Sequence, residues 1–222
     1  MYAKYLKRIL DFVLSLCALI VLSPLLLILI ILGVIFMGGN PFFTQQRPGK
    51  DEKIFKLMKF RTMDNRKDKN GNLLPDDVRL NKYGRILRST SLDELPELIN
   101  ILRGDMAIVG PRPQLVRDMV FMTDEQRKRH TVRQGLTGLA QVNGRNAIKW
   151  EDKLSYDLKY IENITFIGDV EIILKTVINV FKRDGISEEG MATAADLGDY
   201  LLSTGRVTQE EYERKQEEAR LF

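Results

Sequence analysis

Between Phe12 and Met37 the chain runs for 26 residues without one charged side chain, and Leu, Ile and Val dominate the run. About 20 helical residues cross a hydrocarbon core, so a run of this length reads as a membrane segment. It is longer than the core of a secretory signal and no Ala-x-Ala-like cleavage site follows it, so the segment is expected to remain. In a chain of 222 residues this leaves room for one further domain, and the charge density elsewhere makes that domain water-exposed.

Pro24, preceded by Ser23, sits in the middle of the run. An interior proline removes a helix hydrogen bond and crowds the preceding turn. In lipid the freed carbonyl needs a new partner, and a neighbouring serine hydroxyl can serve. Lys4, Lys7 and Arg8 precede the segment, and Arg47, Lys50, Lys53, Lys56 and Lys59 follow it. Positive charge marks the cytoplasmic side of a membrane helix. Both flanks are positive, which suits a helix that enters, bends and returns. Prolines are also common in kinked spanning helices, so the residues alone leave both topologies open.

Cys17 and His130 are the only residues of their types, which excludes an internal disulfide and a cysteine or histidine zinc cluster. The net charge of +4 is unevenly spread. Residues 186–222 carry 9 acidic and 4 basic side chains, or −5, leaving +9 for residues 1–185. A basic body beside a membrane segment favours anionic lipid and phosphate ligands over nucleic acid.

The remainder reads as mostly helical. Two short strands are expected within 42–61, joined by a type II turn at Arg47-Pro48-Gly49-Lys50. Residues 64–82 read as a polar loop, and helices are expected at 91–102, 114–130 and 150–160. Gly135, Gly138 and Gly144 punctuate a stretch expected to be flexible. From 170 to 183, Val170, Ile173, Leu174, Val177, Ile178 and Phe181 recur at helical spacing, with Asp169 placed to cap the start and Gly185 the end. That face suits either a core or a lipid interface.

Phosphate-binding loops, dinucleotide fingerprints, nucleophile elbows and Asp-x-Asp pairs are absent from the sequence. What remains is the block Arg88-Ser89-Thr90-Ser91-Leu92-Asp93-Glu94-Leu95-Pro96-Glu97. Ser91 and Glu94 fit a capping box. The same acidic pair also fits a carboxylate nucleophile toward phosphorus, with a magnesium ion reducing repulsion from the phosphates. Lys59, Arg61, Arg88, Arg112 and Arg145 are candidate phosphate contacts, and Asp157 and Asp169 candidate partners for them.

An ordered series of motifs extends this reading. Ser23-Pro24 is followed by Arg47-Pro48-Gly49, Lys59-Phe60-Arg61-Thr62-Met63 and Ser91-Leu92-Asp93-Glu94-Leu95-Pro96. Then come Gly104-Asp105-Met106, Val109-Gly110-Pro111-Arg112-Pro113, Gly138-Leu139-Ala140-Gln141-Val142-Asn143-Gly144-Arg145 and the segment Trp150 to Asp157. In this order and spacing, residues 1–185 resemble the small monotopic phosphoglycosyl transferases of the bacterial sugar transferase family. Their closest likeness is to the branch that begins protein N-glycosylation.

The resemblance implies a re-entrant helix-break-helix at Ser23 and Pro24. It implies Asp93 as nucleophile, with Glu94 beside it and Mg2+ at the pair. Pro111, Arg112 and Pro113 would shape the nucleotide site, and Lys59, Arg88, Arg112 and Arg145 would face phosphate, supported by Asp157 and Asp169. Gln134 departs from the family's usual proline before Gly135, and the chain beyond about Thr193 has no counterpart there.

The expectation is therefore a mostly α protein with a small β-hairpin, an α+β arrangement held monotopically in the membrane. It divides into a membrane helix at 1–40, a cytoplasmic catalytic domain at 41–185 and an acidic tail at 186–222 without catalytic motifs. The reaction expected is transfer of a sugar-1-phosphate from a UDP-sugar to undecaprenyl phosphate at the inner face of the bacterial cytoplasmic membrane, releasing UMP. A glycosyltransferase releasing UDP and a non-enzymatic, membrane-tethered anion-binding scaffold are the rival readings.

Overall fold

A computed structural model describes residues 1–144, 148–182 and 195–222. The helices are α1 (Lys7–Met37), α2 (Asp76–Arg79), α3 (Lys82–Thr90), α4 (Glu97–Arg103), α5 (Val116–Met119) and α6 (Asp124–Arg127), then α7 (Leu139–Val142), α8 (Trp150–Glu162), α9 (Phe166–Lys182), α10 (Leu197–Ser203) and α11 (Gln209–Ala219). The strands are β1 (Phe42–Pro48), β2 (Ile54–Phe60), β3 (Met106–Val109) and β4 (Gln134–Thr137). Among the described residues the architecture is mostly helical, as expected, with the expected hairpin and one further small sheet.

The apolar run forms α1, extended at its start by one wide turn, Tyr2–Leu6, and stopped by Gly38 in the left-handed region at φ 66°. The break expected at Ser23-Pro24 takes the form of one missing hydrogen bond within a continuous helix. Pro24 cannot donate to the carbonyl of Ile20, and Ser23 Oγ donates to it instead at 2.7 Å.

One stripe of α1 lies against the soluble domain along its whole length, which is about 46 Å for its 31 residues. Near the start, Arg8 donates to the carbonyls of Ile101 and Leu102, and Asp11 accepts from the amide of Ile108. In the middle, Ala18, Leu19 and Leu22 pack on Leu57, Leu98, Ile101 and Met106. Near the end, Leu29 and Met37 join Phe60, Tyr83 and Leu87, and Tyr83 donates its hydroxyl to the carbonyl of Leu29 at 2.8 Å. Gly33 is needed there, since a Cβ would stand 2.6 Å from Pro41 Cβ. The opposite stripe, including Ile9, Val13, Ile20, Ile28, Ile31 and Ile35, is exposed. Contact with one domain along the full length is consistent with monotopic anchoring.

Helix α9 repeats the pattern. Ile172 is buried, whereas Ile167, Val170, Leu174, Val177 and Ile178 face outward. Of the face read from the sequence, Ile173 packs on the core, whereas Val170, Leu174, Val177 and Ile178 are left uncovered among the described residues. The helix starts earlier than predicted and is capped by Thr165, whose hydroxyl accepts from the Gly168 amide at 3.1 Å. Asp169 therefore lies inside the first turn and is not the cap. Gly185, read as the other cap, lies outside the described residues. The rings of Tyr2 and Phe166 meet edge-on at 5.8 Å, so α1 and α9 begin side by side.

The predicted hairpin is present, with β1 and β2 antiparallel from Phe42 opposite Phe60 to Pro48 opposite Ile54. Its turn lies three residues beyond the predicted one. Asp51 and Glu52 occupy it, both left-handed at φ 54° and 58°, with Lys53 N bonded to the Lys50 carbonyl. Pro48 ends the strand, where its missing donor costs least. Arg127 grips Glu52 with a two-pronged ion pair and holds the turn in this unusual geometry.

A second sheet, unforeseen from sequence, pairs β3 and β4 in parallel. The glycine stretch beside it is tightly packed and not the flexible linker expected. A Cβ on Gly135 would stand 2.1 Å from Gly110 N, and one on Gly138 2.1 Å from Gly110 O. Gln134, buried in β4, donates to the carbonyls of Arg129 and Val132, so its departure from proline leaves a well-defined strand. The helix expected at 114–130 is two short helices, because Thr123 and Gln126 form a capping box that starts α6 afresh.

Residues 195–222, read as a tail without chemistry, fold back on the domain. Asp118 caps its own helix through Leu115 N and also accepts from Leu197 N, each at 2.9 Å. Trp150 donates to the Ala195 carbonyl, and Lys215 to that of Val120. Val120, Phe121, Met122, Trp150, Leu154 and Leu197 form one core cluster. The boundary drawn at 185 to 186 lies outside the described residues.

Candidate active site

Ser91 ends α3 in the left-handed region at φ 56°, without a side-chain capping bond. The capping-box reading of Ser91 and Glu94 is thereby corrected. Asp93 and Glu94 sit on one tight turn, Leu92–Glu94, ahead of the seven-residue α4.

Three elements converge on this turn. From β2, Lys59 Nζ reaches Glu94 Oε1 at 2.7 Å and Glu97 Oε1 at 3.1 Å. From the loop after β3, Arg112 Nη2 reaches the same Glu94 oxygen at 2.7 Å. From α3, Arg88 Nε donates to Thr62 Oγ1 at 3.0 Å, and its charge acts on Asp93. Lys59, Arg88, Arg112, Asp93 and Glu94 are thus brought together as expected. Glu97 is an addition. It is 3% exposed and completes a carboxylate triplet whose one-turn spacing from Asp93 and Glu94 was visible in the sequence.

Burial raises the carboxyl of Glu94, but Arg112 and Lys59 outweigh burial and hold it well below the usual carboxylate range. Asp93 differs. Among the described residues no group donates a hydrogen bond to it, and burial, followed by the charge of Glu94, pushes it up to about 6. Glu97 is pushed up to about 7, first by burial and then by Glu94 against the pull of Lys59. The site therefore holds one carboxylate locked by two cations and, beside it, one carboxylate whose oxygens no described residue engages.

The remaining predicted residues lie around this centre or away from it. The carbonyl of Pro111 accepts from Gly135 N at 2.8 Å, and that of Pro113 from Arg47 Nη1 at 3.1 Å. Asp157, 1% exposed on α8, pairs with Arg129 and with none of the arginines predicted for it. Asp169 accepts from Tyr2, Lys7 and Tyr160, tying α1 to α8 and α9, and likewise meets none of those arginines. Arg145 lies outside the described residues. Arg129 escaped the sequence reading, and Arg47 entered it only as a flanking charge and part of a turn motif, because that reading singles out cations by motif and not by burial.

Among the described residues, His, Cys, Asp and Glu side chains nowhere gather in a group of three able to hold a metal. A magnesium ion needs no such cage, since one or two carboxylates and the substrate's phosphates commonly suffice. Asp93, unengaged by any described residue and pushed up to about 6 by burial first and the charge of Glu94 second, fits that mode.

The site sets three carboxylates among three cations, on a domain packed along one long apolar helix. Residues 2–183 match the bacterial sugar transferase family, and the chain belongs to it. It is 45% identical to the sugar transferase EpsL of Bacillus subtilis, over 85% of this chain and 94% of that one. It is 39% identical to the UDP-glucose:undecaprenyl-phosphate glucose-1-phosphate transferase of Klebsiella pneumoniae, over 79% of this chain and 40% of that one. It is 36% identical to the undecaprenyl-phosphate galactose phosphotransferase of Salmonella typhimurium, over 82% of this chain and 42% of that one. The last two relatives are more than twice the matched length, so the likeness covers less than half of each.

Proposed function

We propose that the protein transfers a sugar-1-phosphate from a UDP-sugar to undecaprenyl phosphate and releases UMP. The single observation behind this reading is the contrast between Asp93, which accepts no hydrogen bond from a described residue, and Glu94, engaged by Lys59 and Arg112. A free carboxylate among fixed cations is suited to attack phosphorus, because the cations offset its repulsion from the diphosphate.

In this mechanism Asp93 attacks the sugar-bearing phosphorus, and the bond to the bridging oxygen breaks with UMP as leaving group. The acyl phosphate so formed on Asp93 is then attacked by the phosphate oxygen of undecaprenyl phosphate, which takes the phosphosugar and frees the carboxylate. Arg112, Lys59 and Arg88 neutralise the phosphate oxygens as charge moves. Asp93 and Glu94 would hold Mg2+, which supplies Lewis-acid stabilisation of phosphate charge. The exposed faces of α1 and α9 lie in one leaflet on the cytoplasmic side, where the polyprenyl acceptor resides.

Assay of the leaving nucleotide separates this reading from simple glycosyl transfer. With Mg2+, undecaprenyl phosphate and a panel of UDP-sugars including UDP-galactose and UDP-glucose, the purified protein is expected to release UMP. Release of UDP would assign it to glycosyl transfer instead.

A further inference from the structure

Pro111-Arg112-Pro113 offers the rest of the fold three carbonyls but a single amide N–H, because proline has none. Such a segment is held by whatever donates to its carbonyls. All three are taken from outside: Pro111 by Gly135 N at 2.8 Å, Pro113 by Arg47 at 3.1 Å and Arg112 by Arg129 Nη2 at 2.5 Å. The last carbonyl belongs to the residue whose side chain grips Glu94.

Arg129 is fully buried. Its Nε and Nη2 also donate to Asp157 Oδ2 at 2.9 and 2.7 Å, while Asp157 Oδ1 has no partner among the described residues. A buried ion pair pays a desolvation cost that an apolar pair of similar volume avoids, so stability alone is a weak reason for it. What apolar side chains could not do is hold the Arg112 carbonyl.

We propose that Arg129, backed by Asp157, is a positioning residue for Arg112. It fixes the backbone at Arg112, so that the guanidinium can leave Glu94 for a substrate phosphate without losing its place. The inference rests on Arg112 acting on phosphate, as proposed above.

The test uses full-length protein and whichever UDP-sugar proves active, with three variants. Arg129→Met with Asp157→Leu removes both charges together and leaves no lone buried ion. Arg129→Lys keeps the charge and loses the fork. Arg112→Gln tests the underlying reading. The double variant is expected to keep a cooperative thermal transition within a few degrees of the parent while kcat falls at least tenfold and KM for the UDP-sugar changes less than threefold. Arg129→Lys is expected to fall between. A folded double variant with parental kcat and KM overturns the positioning role, even where Arg112→Gln is crippled. If the double variant does not fold, a folded Arg129→Lys with parental kcat overturns it equally. Parental turnover in Arg112→Gln removes the reading on which the proposal stands, and the proposal with it.

Discussion

The hydroxyl of Ser23 donates to the carbonyl of Ile20 at 2.7 Å, replacing the bond that Pro24 cannot make. The defect is thus satisfied where the helix has no water to turn to. With α1 lying along one domain, both of its ends are expected on the cytoplasmic face. In a Cys17→Ser background, cysteines at positions 2 and 50 should be equally protected from impermeant reagent in intact cells. Labelling of position 2 from outside would establish a crossing. Pro24→Ala restores the missing donor and should move part of the population to that crossing form.

Residues 195–222 cover Trp150, Phe121, Val120 and Leu154 and bond to Asp118. The sequence reading finds no catalytic motif in residues 186–222, but truncation after Thr193 strips this cover. The loss should be on the order of 3 kcal/mol or more, as for re-exposing a few large apolar side chains. Urea unfolding of both forms measures it. An unchanged midpoint would show that the docked segment adds nothing to the fold.

His130, 1% exposed, is held down to about 3 by burial first and the neighbouring charge of Arg129 second. The unfolded chain takes up a proton near pH 6.5 that the folded chain refuses, so this group's contribution to stability is complete above that pH. It is lost as pH falls toward 3, with a slope of up to about 1.4 kcal/mol per pH unit. The raised carboxyls of Asp118, Asp157 and Asp196 act in the opposite sense, so the comparison must be with His130→Gln. The variant should lose less stability than the parent between pH 7 and 5 by denaturant titration. Parallel profiles would show that His130 titrates normally.

Much of this was legible in the sequence because the signals were local. The charge-free run, the proline with its serine, and the acidic pair between Arg88 and Arg112 each need only neighbours in the chain to be recognised. What escaped depends on residues far apart. The parallel pairing of Met106 with Gln134 has no local signature, and Arg129 reads as a surface cation until Asp157 and the Arg112 carbonyl are seen around it. The hairpin turn was misplaced because Pro-Gly is a strong local signal, here outweighed by strand register and the distant Arg127. The outward face of α9 could not be told from a core face, since periodicity records that a stripe is apolar and not what covers it.

Glu94 accepts from both Lys59 and Arg112, so it acts as the anchor of the two cations. Glu94→Gln should lower turnover by at least 100-fold, comparable to removing a preorganised electrostatic group. The thermal midpoint should drop as well, because Lys59 and Arg112 are left with only Glu97 and Asp93. Turnover within a few-fold of the parent would show that the pairing is structural.

The central claim is that Asp93 forms a covalent phosphosugar intermediate. Asp93 makes no hydrogen bond to any described residue, so Asp93→Asn should leave stability nearly unchanged while turnover falls by orders of magnitude. The direct measurement is mass spectrometry of the protein incubated with UDP-sugar and Mg2+ but no lipid acceptor. The account predicts a sugar-phosphate adduct on the peptide containing Asp93, absent from Asp93→Asn and discharged by undecaprenyl phosphate. An adduct on another residue, or near-parental turnover in Asp93→Asn, would contradict it.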